Sequence, residues 1–582
     1  MLTLFHMPIT PVLKKKTSLP EQFRSGSSSF FGMADLLPIR VPLHYTRSVN
    51  VSHKGVAVPI EDSEKFAYGT AGFRNLADKL TFIVFRCGYL AALRARNLNA
   101  TVGLMITASH NPAQDNGVKI VEPDGNMLSA SWEKICSELI NSTDDQFPTA
   151  VRALEVQTAI SQTDKAKVVC AIDTRESGSH LMEAARNGVQ LGKVEIEFLD
   201  LGVLTTPQLH FIVKCSNDQN FGRPSEFGYY KRLASSFKEL FKITTEPSAS
   251  NYSNKLVLDC ANGVGAPRFD DLLQLIPEEF LQIDFRNEDG ELNHGCGADF
   301  VKIGQTFPSN FTVDDKKCAS FDGDADRLIY FRPHKDSSDK IEILDGDKIA
   351  VLLATYLMDL LTKFKEANPD ETLTFGIVQT AYANGNSTRY IKEKLGVEPV
   401  IVETGVKHLH HAALNYDIGV YFEANGHGTV VFSKKFDDVV RKQKTDNVAI
   451  RRLQLISLVI NEVVGDAFAD LLAVEVVLRH FGWSIEDWAE KLYHDVPNVQ
   501  LKTPVKDRSI FKTAAGDETT LIEPKGLQEK IVDEVAKYTN SRAFIRPSGT
   551  ENIVRVYAEA DNMEDTNRLG NSLQQLVLNL QN

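Results

Sequence analysis

The feature that most constrains this chain is a recurring unit. A short apolar run, rich in β-branched residues, exits into a polar loop, and a helix-like stretch follows. Val102-Gly103-Leu104-Met105-Ile106 leads into Thr107-Ala108-Ser109-His110-Asn111-Pro112. Val168 to Ile172 leads into Asp173-Thr174-Arg175, and Lys255 to Asp259 into Cys260-Ala261-Asn262-Gly263. Thr374 to Gln379, Val400 to Val402 and Gly419 to Phe422 repeat the theme. Apolar runs of this length predict buried strands. Stretches 79–96, 179–188 and 348–363 carry helical periodicity between them. Strands alternating with helices predict an α/β fold. The units hint at three related blocks without a strict sequence repeat.

At 582 residues the chain exceeds one ordinary core, since domains run to about 100–200 residues. We expect an N-terminal extension over 1–45 and domains over 46–245, 246–343, 344–490 and 491–582. Residues 216–230 read as an exposed loop, 243–254 as a boundary, and 446–480 as one long helix. The last part, from about 497, reads as alternating strands and two helices. The extension is poor in acids, carries Lys14-Lys15-Lys16 and Ser25 to Ser29, and has too little arginine for a transit peptide. It reads as disordered, with Met33 as an alternative start.

A net charge of −13 speaks against nucleic-acid and anionic-membrane partners, which demand a basic face. Seven scattered cysteines without a CxxC pair indicate neither a disulfide framework nor a zinc site. Reduced thiols in a cytoplasmic protein are expected. No uncharged apolar run of about 18 residues predicts a membrane span. Leu453 to Leu478 is interrupted by Glu462, Asp466, Asp470 and Glu475 and reads as a core helix.

Four loops carry chemistry. Ser109 follows a strand that aims it, with Asp115-Asn116-Gly117-Val118-Lys119 read as a Gly-containing turn beyond. Alone, a serine beside a histidine is as well explained as a turn-former. In Asp322-Gly323-Asp324-Ala325-Asp326-Arg327, an extended backbone would point three carboxylates one way. Such crowding is relieved by a hard divalent cation, magnesium or calcium; a solvated acidic turn is the alternative. An EF-hand is excluded, because the twelfth position from Asp322 is Pro333 rather than glutamate. A phosphate on Ser109 would supply a further ligand. Glu423, Asn425 and His427 alternate after a strand and suit sugar hydroxyls, or else form a polar turn. Arg546-Pro547-Ser548-Gly549-Thr550, with Arg555 on the next strand, offers donors for one phosphate, or else a simple turn. The Gly-punctuated loop from Phe66 to Arg74 ends in an arginine suited to an anion.

These four loops in this order resemble the α-D-phosphohexomutase family over residues 50–582. The resemblance implies four domains around a cleft, three α/β and a C-terminal α+β domain like the TATA-binding protein. It implies that Ser109 is the phosphoserine and that Asp322, Asp324 and Asp326 bind one Mg2+ per subunit, with Ser109 as a further ligand. Lys119 then matches a proton-transfer lysine and Arg74 an active-site arginine. His110 remains a possible base, with a structural hydrogen bond as the alternative. Glu423, Ala424, Asn425 and His427, with Thr404 and Gly405, match sugar-binding positions. Arg546, Pro547, Ser548, Gly549, Thr550 and Arg555 match the grip on the non-reacting phosphate.

The sugar loop reads Glu-Ala-Asn-Gly-His-Gly where many glucose and mannose enzymes have Glu-x-Ser-Gly-His, so Asn425 replaces a serine. That and Glu403 to His408 resemble the acetylglucosamine branch. The implied reaction interconverts N-acetylglucosamine 6-phosphate and 1-phosphate through a 1,6-bisphosphate, for UDP-N-acetylglucosamine synthesis. The rivals are another phosphohexomutase, a metal-dependent phosphatase and a non-catalytic sugar-phosphate sensor. Small sugar phosphates are the expected partners, with no obligate protein partner.

Overall fold

A computed structural model describes residues 39–69, 71–158, 165–191, 196–335, 337, 340–548 and 552–580. Its contacts divide the chain into Met1–Arg40 and Val41–Asn582, and the elements below belong to the second unit.

The apolar runs form strands, and the strands build three sheets of similar layout. The first sheet is ordered Phe73–Leu76, Asp115–Val121, Thr101–Ile106, Lys167–Ile172, Glu197–Val203. The second is ordered Ile341–Leu344, Leu328–Pro333, Cys318–Phe321, Lys255–Asp259, Gln282–Arg286. The third is ordered Gly428–Phe432, Ile418–Phe422, Phe375–Thr380, Val400–Val402. In each, one central strand has two successive parallel strands on one side and an antiparallel strand on the other. The link from that central strand to its antiparallel neighbour is the same place in all three sheets. It carries Ser109 in the first, Asp322 to Asp326 in the second and Glu423 to His427 in the third. The carboxyl edge of parallel strands is where such sheets present ligand-binding loops. Three blocks without a sequence repeat thus share one strand layout, although in the first the hairpin precedes the two parallel strands in the chain and in the other two it follows them.

The crossing helices form where expected and are capped by their own sequence. Asp345 accepts the N–H groups of Asp347 (3.0 Å) and Lys348 (3.3 Å) to start Gly346–Ala367. Thr205 and Gln208 form a capping box ahead of Thr206–Asn217. Together the three sheets and their helices enclose one continuous apolar core, from Met105 to Tyr493. No described helix is long and apolar enough to cross a membrane.

Four readings are corrected. The stretch 216–230 is a loop only in its middle, because Ser225 caps Gly228 and starts the helix Glu226–Ile243, which buries Tyr229 and Tyr230. The helix expected over 446–480 is two, Val448–Val459 and Ala467–Phe481. The break suits its residues: the Asp466 carboxylate caps Phe468 and Ala469, while Asn461 donates to it at 2.9 Å. Asp115–Val121 is a strand rather than a turn. Residues 1–38 of the expected extension lie outside the described residues, but Leu43–Tyr45 is a short helical turn whose Tyr45 ring stacks on Phe85.

The C-terminal part is α+β, as expected. Its antiparallel sheet is ordered Asn498–Pro504, Ile553–Glu559, Arg542–Pro547, with a separate hairpin of Lys512–Ala514 and Asp517–Glu523. The helices Leu527–Val535 and Met563–Asn579 close a core of its own, around Ile545, Val556 and Leu569. A small patch joins it to the third sheet. Tyr382 packs on Phe544 and Tyr557, and Arg542 donates to the carbonyls of Ala381 (2.9 Å) and Ala383 (2.6 Å). Gly385 packs closely there: a Cβ would lie 2.2 Å from Glu559 Oε1, and its N–H donates to Glu559 Oε2 at 3.2 Å.

Candidate active site

Ser109 sits at the end of Thr101–Ile106 in the left-handed region, with φ +52°, which a side chain tolerates only when the surroundings hold it. Those surroundings are built around Arg175. Its guanidinium donates to four backbone carbonyls of the serine loop: Ser109 (3.0 Å), Asn111 (2.9 Å), Pro112 (2.6 Å) and Asp115 (2.7 Å). Its Nε donates to Asp173 (3.0 Å), which also accepts the Thr107 hydroxyl (2.7 Å). Thr107 Oγ1 in turn accepts the Ser109 N–H at 2.9 Å. From the second sheet's side, Asn293 donates to the Ser109 and Asn111 carbonyls (2.8 and 3.0 Å). Every side chain of this frame except Asn293 is buried, and none was singled out as functional from sequence. The Asp173-Thr174-Arg175 exit was visible as a polar strand end, but nothing local links it to Ser109.

The serine hydroxyl donates to Asp322 Oδ2 at 2.6 Å. One oxygen each from Asp322, Asp324 and Asp326 lies within 4.8 Å of the others, and all three residues are buried. The convergence differs from the expected extended loop. A turn brings it about, with Ala325 at φ +54° and its N–H donating to the Asp322 carbonyl at 3.1 Å. Thr206 fixes Asp324, its hydroxyl donating to Oδ2 at 2.6 Å. Burial and the charges of Asp326 and Asp324 push the Asp322 carboxyl well above its usual range. Burial works the same way on Asp326, but His427, Lys119 and Arg327 outweigh it and hold that carboxyl well below. Asp324 Oδ1 and Asp326 Oδ1 are buried without a hydrogen-bond donor. Crowded carboxylates with free oxygens fit a hard divalent cation such as magnesium.

Lys119 stands on Asp115–Val121, opposite Met105, and not on a turn. Its Nζ lies 3.6 Å from Asp324 Oδ2 and 3.5 Å from Asp326 Oδ2. His110 Nδ1 is 3.5 Å from Ser109 Oγ. Burial and the charges of Arg327 and Arg74 push its pKa down to about 2, so the ring stays neutral. Arg74, on the strand Phe73–Leu76, donates to Asn111 Oδ1 at 3.3 Å.

The third-sheet loop is pressed against the aspartate loop. A Cβ on Gly426 would lie 2.2 Å from the Leu328 carbonyl, and the Leu328 N–H donates to the Gly426 carbonyl at 3.1 Å. Within the loop, Asn425 Nδ2 donates to Glu423 Oε2 (3.2 Å). The expected alternation divides here. Glu423, Ala424 and Asn425 line a cavity of about 530 Å3, whereas His427 turns its Nδ1 to Asp326 Oδ1 at 3.4 Å. Thr404, Arg546 and Arg555 line the same cavity, the two arginines as a cross-strand pair. Gly405 starts the helix Val406–Ala413 instead, with φ +130°. Pro547 ends its strand and Ser548 is buried, while Gly549 and Thr550 lie outside the described residues. Sequence reasoning missed Tyr382 and Lys302 on the cavity wall. Asp299 and Ile303 line both this cavity and a second one bordered by His110 and Asn111, so the Glu423 side and the serine side share a wall.

Four family models match in chain order. Phosphoglucomutase/phosphomannomutase α/β/α domain I matches residues 90–147 and the C-terminal domain 503–573. Phosphoacetylglucosamine mutase AMG1 domain II matches 222–329 and domain III matches 345–483. Fold, site and matches together define an α-D-phosphohexomutase. Phosphoacetylglucosamine mutase of Candida albicans is 45% identical over 88% of this chain and 96% of its own length. The chain belongs to the phosphoacetylglucosamine mutase family. A solved N-acetylglucosamine-phosphate mutase in its substrate complex is 44% identical, with a TM-score of 0.83 over 89% of this chain and 97% of that one. The Aspergillus fumigatus N-acetylphosphoglucosamine mutase in complex with GlcNAc-6P and magnesium is 40% identical, with a TM-score of 0.83 over 90% and 97%.

Proposed function

We propose that this chain interconverts N-acetylglucosamine 6-phosphate and N-acetylglucosamine 1-phosphate, with Ser109 as the phosphoryl carrier. The observation that carries this reading is the Ser109 hydroxyl 2.6 Å from Asp322 within a cluster of three buried aspartates. The names and complexes of the relatives support the same substrate. Asp322, Asp324 and Asp326, with an oxygen on Ser109, would hold magnesium, which neutralises charge on a transferring phosphoryl group.

The chain's own residues then divide the work. In the phosphorylated enzyme the bond from Ser109 Oγ to phosphorus breaks as a bond to the free sugar hydroxyl forms. Lys119 gives a proton to Ser109 Oγ and recovers one from the sugar hydroxyl. The resulting 1,6-bisphosphate turns over in the cleft, and its other phosphate returns to Ser109 by the reverse exchange. Arg546 and Arg555 hold the phosphate that is not reacting, and Glu423 and Asn425 orient the sugar. The frame around Arg175 keeps Ser109 in its left-handed conformation throughout. The product serves UDP-N-acetylglucosamine synthesis, and the seven buried free cysteines suit the reducing cytoplasm.

The test is an isomerisation assay on N-acetylglucosamine 6-phosphate with magnesium, before and after chelation. Glucose and mannose phosphates run alongside. Isomerisation that is lost on chelation and strongest on the acetylated sugar is the expected result. Release of inorganic phosphate without isomerisation would make the chain a phosphatase, and faster turnover of glucose or mannose phosphate would refute the substrate.

A further inference from the structure

Glu518 belongs to none of the loops read from the sequence. It stands on Asp517–Glu523, in the hairpin beside the C-terminal sheet, and reaches across to the third sheet. Its Oε2 accepts the Thr404 backbone N–H at 2.9 Å and the Thr404 hydroxyl at 2.6 Å. Its Oε1 accepts Arg546 Nη1. Two residues earlier in the same hairpin, the Gly516 N–H donates to Glu403 at 3.3 Å.

A guanidinium, a backbone N–H and a hydroxyl converging on one oxyanion form the donor set by which proteins bind phosphate. Here a carboxylate of the chain itself takes those donors, and both Thr404 and Arg546 line the sugar-side cavity. Arg546 Nε is buried without a hydrogen-bond acceptor, so the guanidinium still has capacity for an anion. Arg555 stands opposite Arg546 on the neighbouring strand. The hairpin therefore carries one anion to a place that holds two cations.

We propose that Glu518 is an exchangeable counter-ion of the phosphate grip. An incoming sugar phosphate takes Arg546 and Thr404 from Glu518, and Glu518 recovers them when the phosphate leaves. This rests on the reading of Arg546 as the residue that grips the non-reacting phosphate. It also gives the reaction something it needs. A bisphosphate that must release one phosphate from the grip and present the other would leave a half-buried guanidinium unpaired in between, which is costly. A carboxylate within reach keeps Arg546 paired through that interval. The exchange costs some affinity and speeds release.

Glu518→Gln keeps the shape and removes the charge. Inorganic phosphate titrated calorimetrically into the full-length protein with magnesium is expected to bind about fivefold more tightly in the variant, the size of one removed like-charge contact. In turnover, both KM and kcat are expected to fall by about that factor, because release slows. Phosphate affinity unchanged or weaker in Glu518→Gln would overturn the proposal, since a carboxylate that merely positions Arg546 should weaken binding on removal. Glu518→Asp shortens the reach and is expected to shift affinity the same way by less; it stands in if the glutamine variant does not fold. Arg546→Gln separates the two readings. If that variant binds phosphate as the wild type does, Arg546 is no phosphate grip and the underlying reading fails. If it binds phosphate weakly while Glu518→Gln does not tighten it, only the role of Glu518 fails.

Discussion

The Ser109 end and the Arg546–Arg555 end of this molecule are built on opposite plans. Ser109 is fully buried, its loop carbonyls tied by Arg175 and Asn293, its hydroxyl tied to Asp322. That end lies within one apolar core shared by three sheets. Arg546 and Arg555 stand on a sheet with its own core, joined to the rest through a small aromatic patch, the Arg542 guanidinium on the Ala381 and Ala383 carbonyls, and Glu518 on Thr404. Phosphoryl transfer needs its reacting atoms held within a fraction of an ångström. A group that must let go of one phosphate and take another needs instead a cheap alternative partner. The first end spends its hydrogen bonds on immobility, and the second, on the proposed exchange, keeps a replaceable one.

The largest effect expected from this contrast is at the serine. Ser109→Ala should lower kcat/KM by at least ~10^3-fold, because no other described hydroxyl donates to the aspartate cluster except Thr206, which is committed to Asp324. Steady-state isomerisation checks it, and near-normal turnover would end the covalent scheme. Next comes the frame. Arg175→Lys removes a planar fork that serves four carbonyls, and a lysine cannot reach all of them. We expect kcat to fall about 100-fold with KM within about twofold, the mark of a misplaced reacting group rather than lost binding. A rise in KM with kcat preserved would place Arg175 in substrate binding and break the comparison.

Much of the serine end was legible because its signals are local. A strand followed by a polar loop, and three aspartates among five residues, declare themselves in a window of ten. Lys119 was legible by its motif, although Asp115–Val121 is a strand, because a register that faces Asp324 and Asp326 does not depend on naming the element. The supports were illegible because they are distant: Arg175 lies 66 residues from Ser109 and Asn293 lies 184. The same holds for Glu518, which is 114 residues from Thr404. Local pattern misjudged 446–480 for a related reason. Its apolar periodicity continues through Ile460 to Val464, and only the tertiary partners of Asp466 make it a cap.

At the grip, the effect should be smaller and of the other kind. Arg546→Gln is expected to raise KM for N-acetylglucosamine 6-phosphate about 30-fold and to change kcat only a few-fold, since Arg555 retains part of the charge. Kinetics on the purified variant decide it. Equal losses in kcat and kcat/KM would mean that this end, too, acts only in the transition state, and the two plans would collapse into one.

The smallest expected difference concerns acid. In the body of the molecule burial, then the charge of His411, pushes His410 down to about 4, and burial, then the charge of Arg452, does the same to His480. Residues 498–582 contain no histidine. An unfolded histidine titrates near ~6.5, so the unfolded chain takes up the proton first. The stability these two rings contribute is full above about pH 6.5 and is lost as pH falls from there toward 4. At pH 5 each should have cost the body roughly 2 kcal/mol, with no such cost to the C-terminal core. Hydrogen exchange followed by region at pH 7.5 and pH 5 tests this, with His410→Gln beside the wild type at each pH. The variant should lose less protection than the wild type in peptides from 406–432 and behave alike in peptides from 542–559. Equal losses across both regions would mean that the junction at Arg542 and Glu559 couples the two cores more tightly than their separate packing implies.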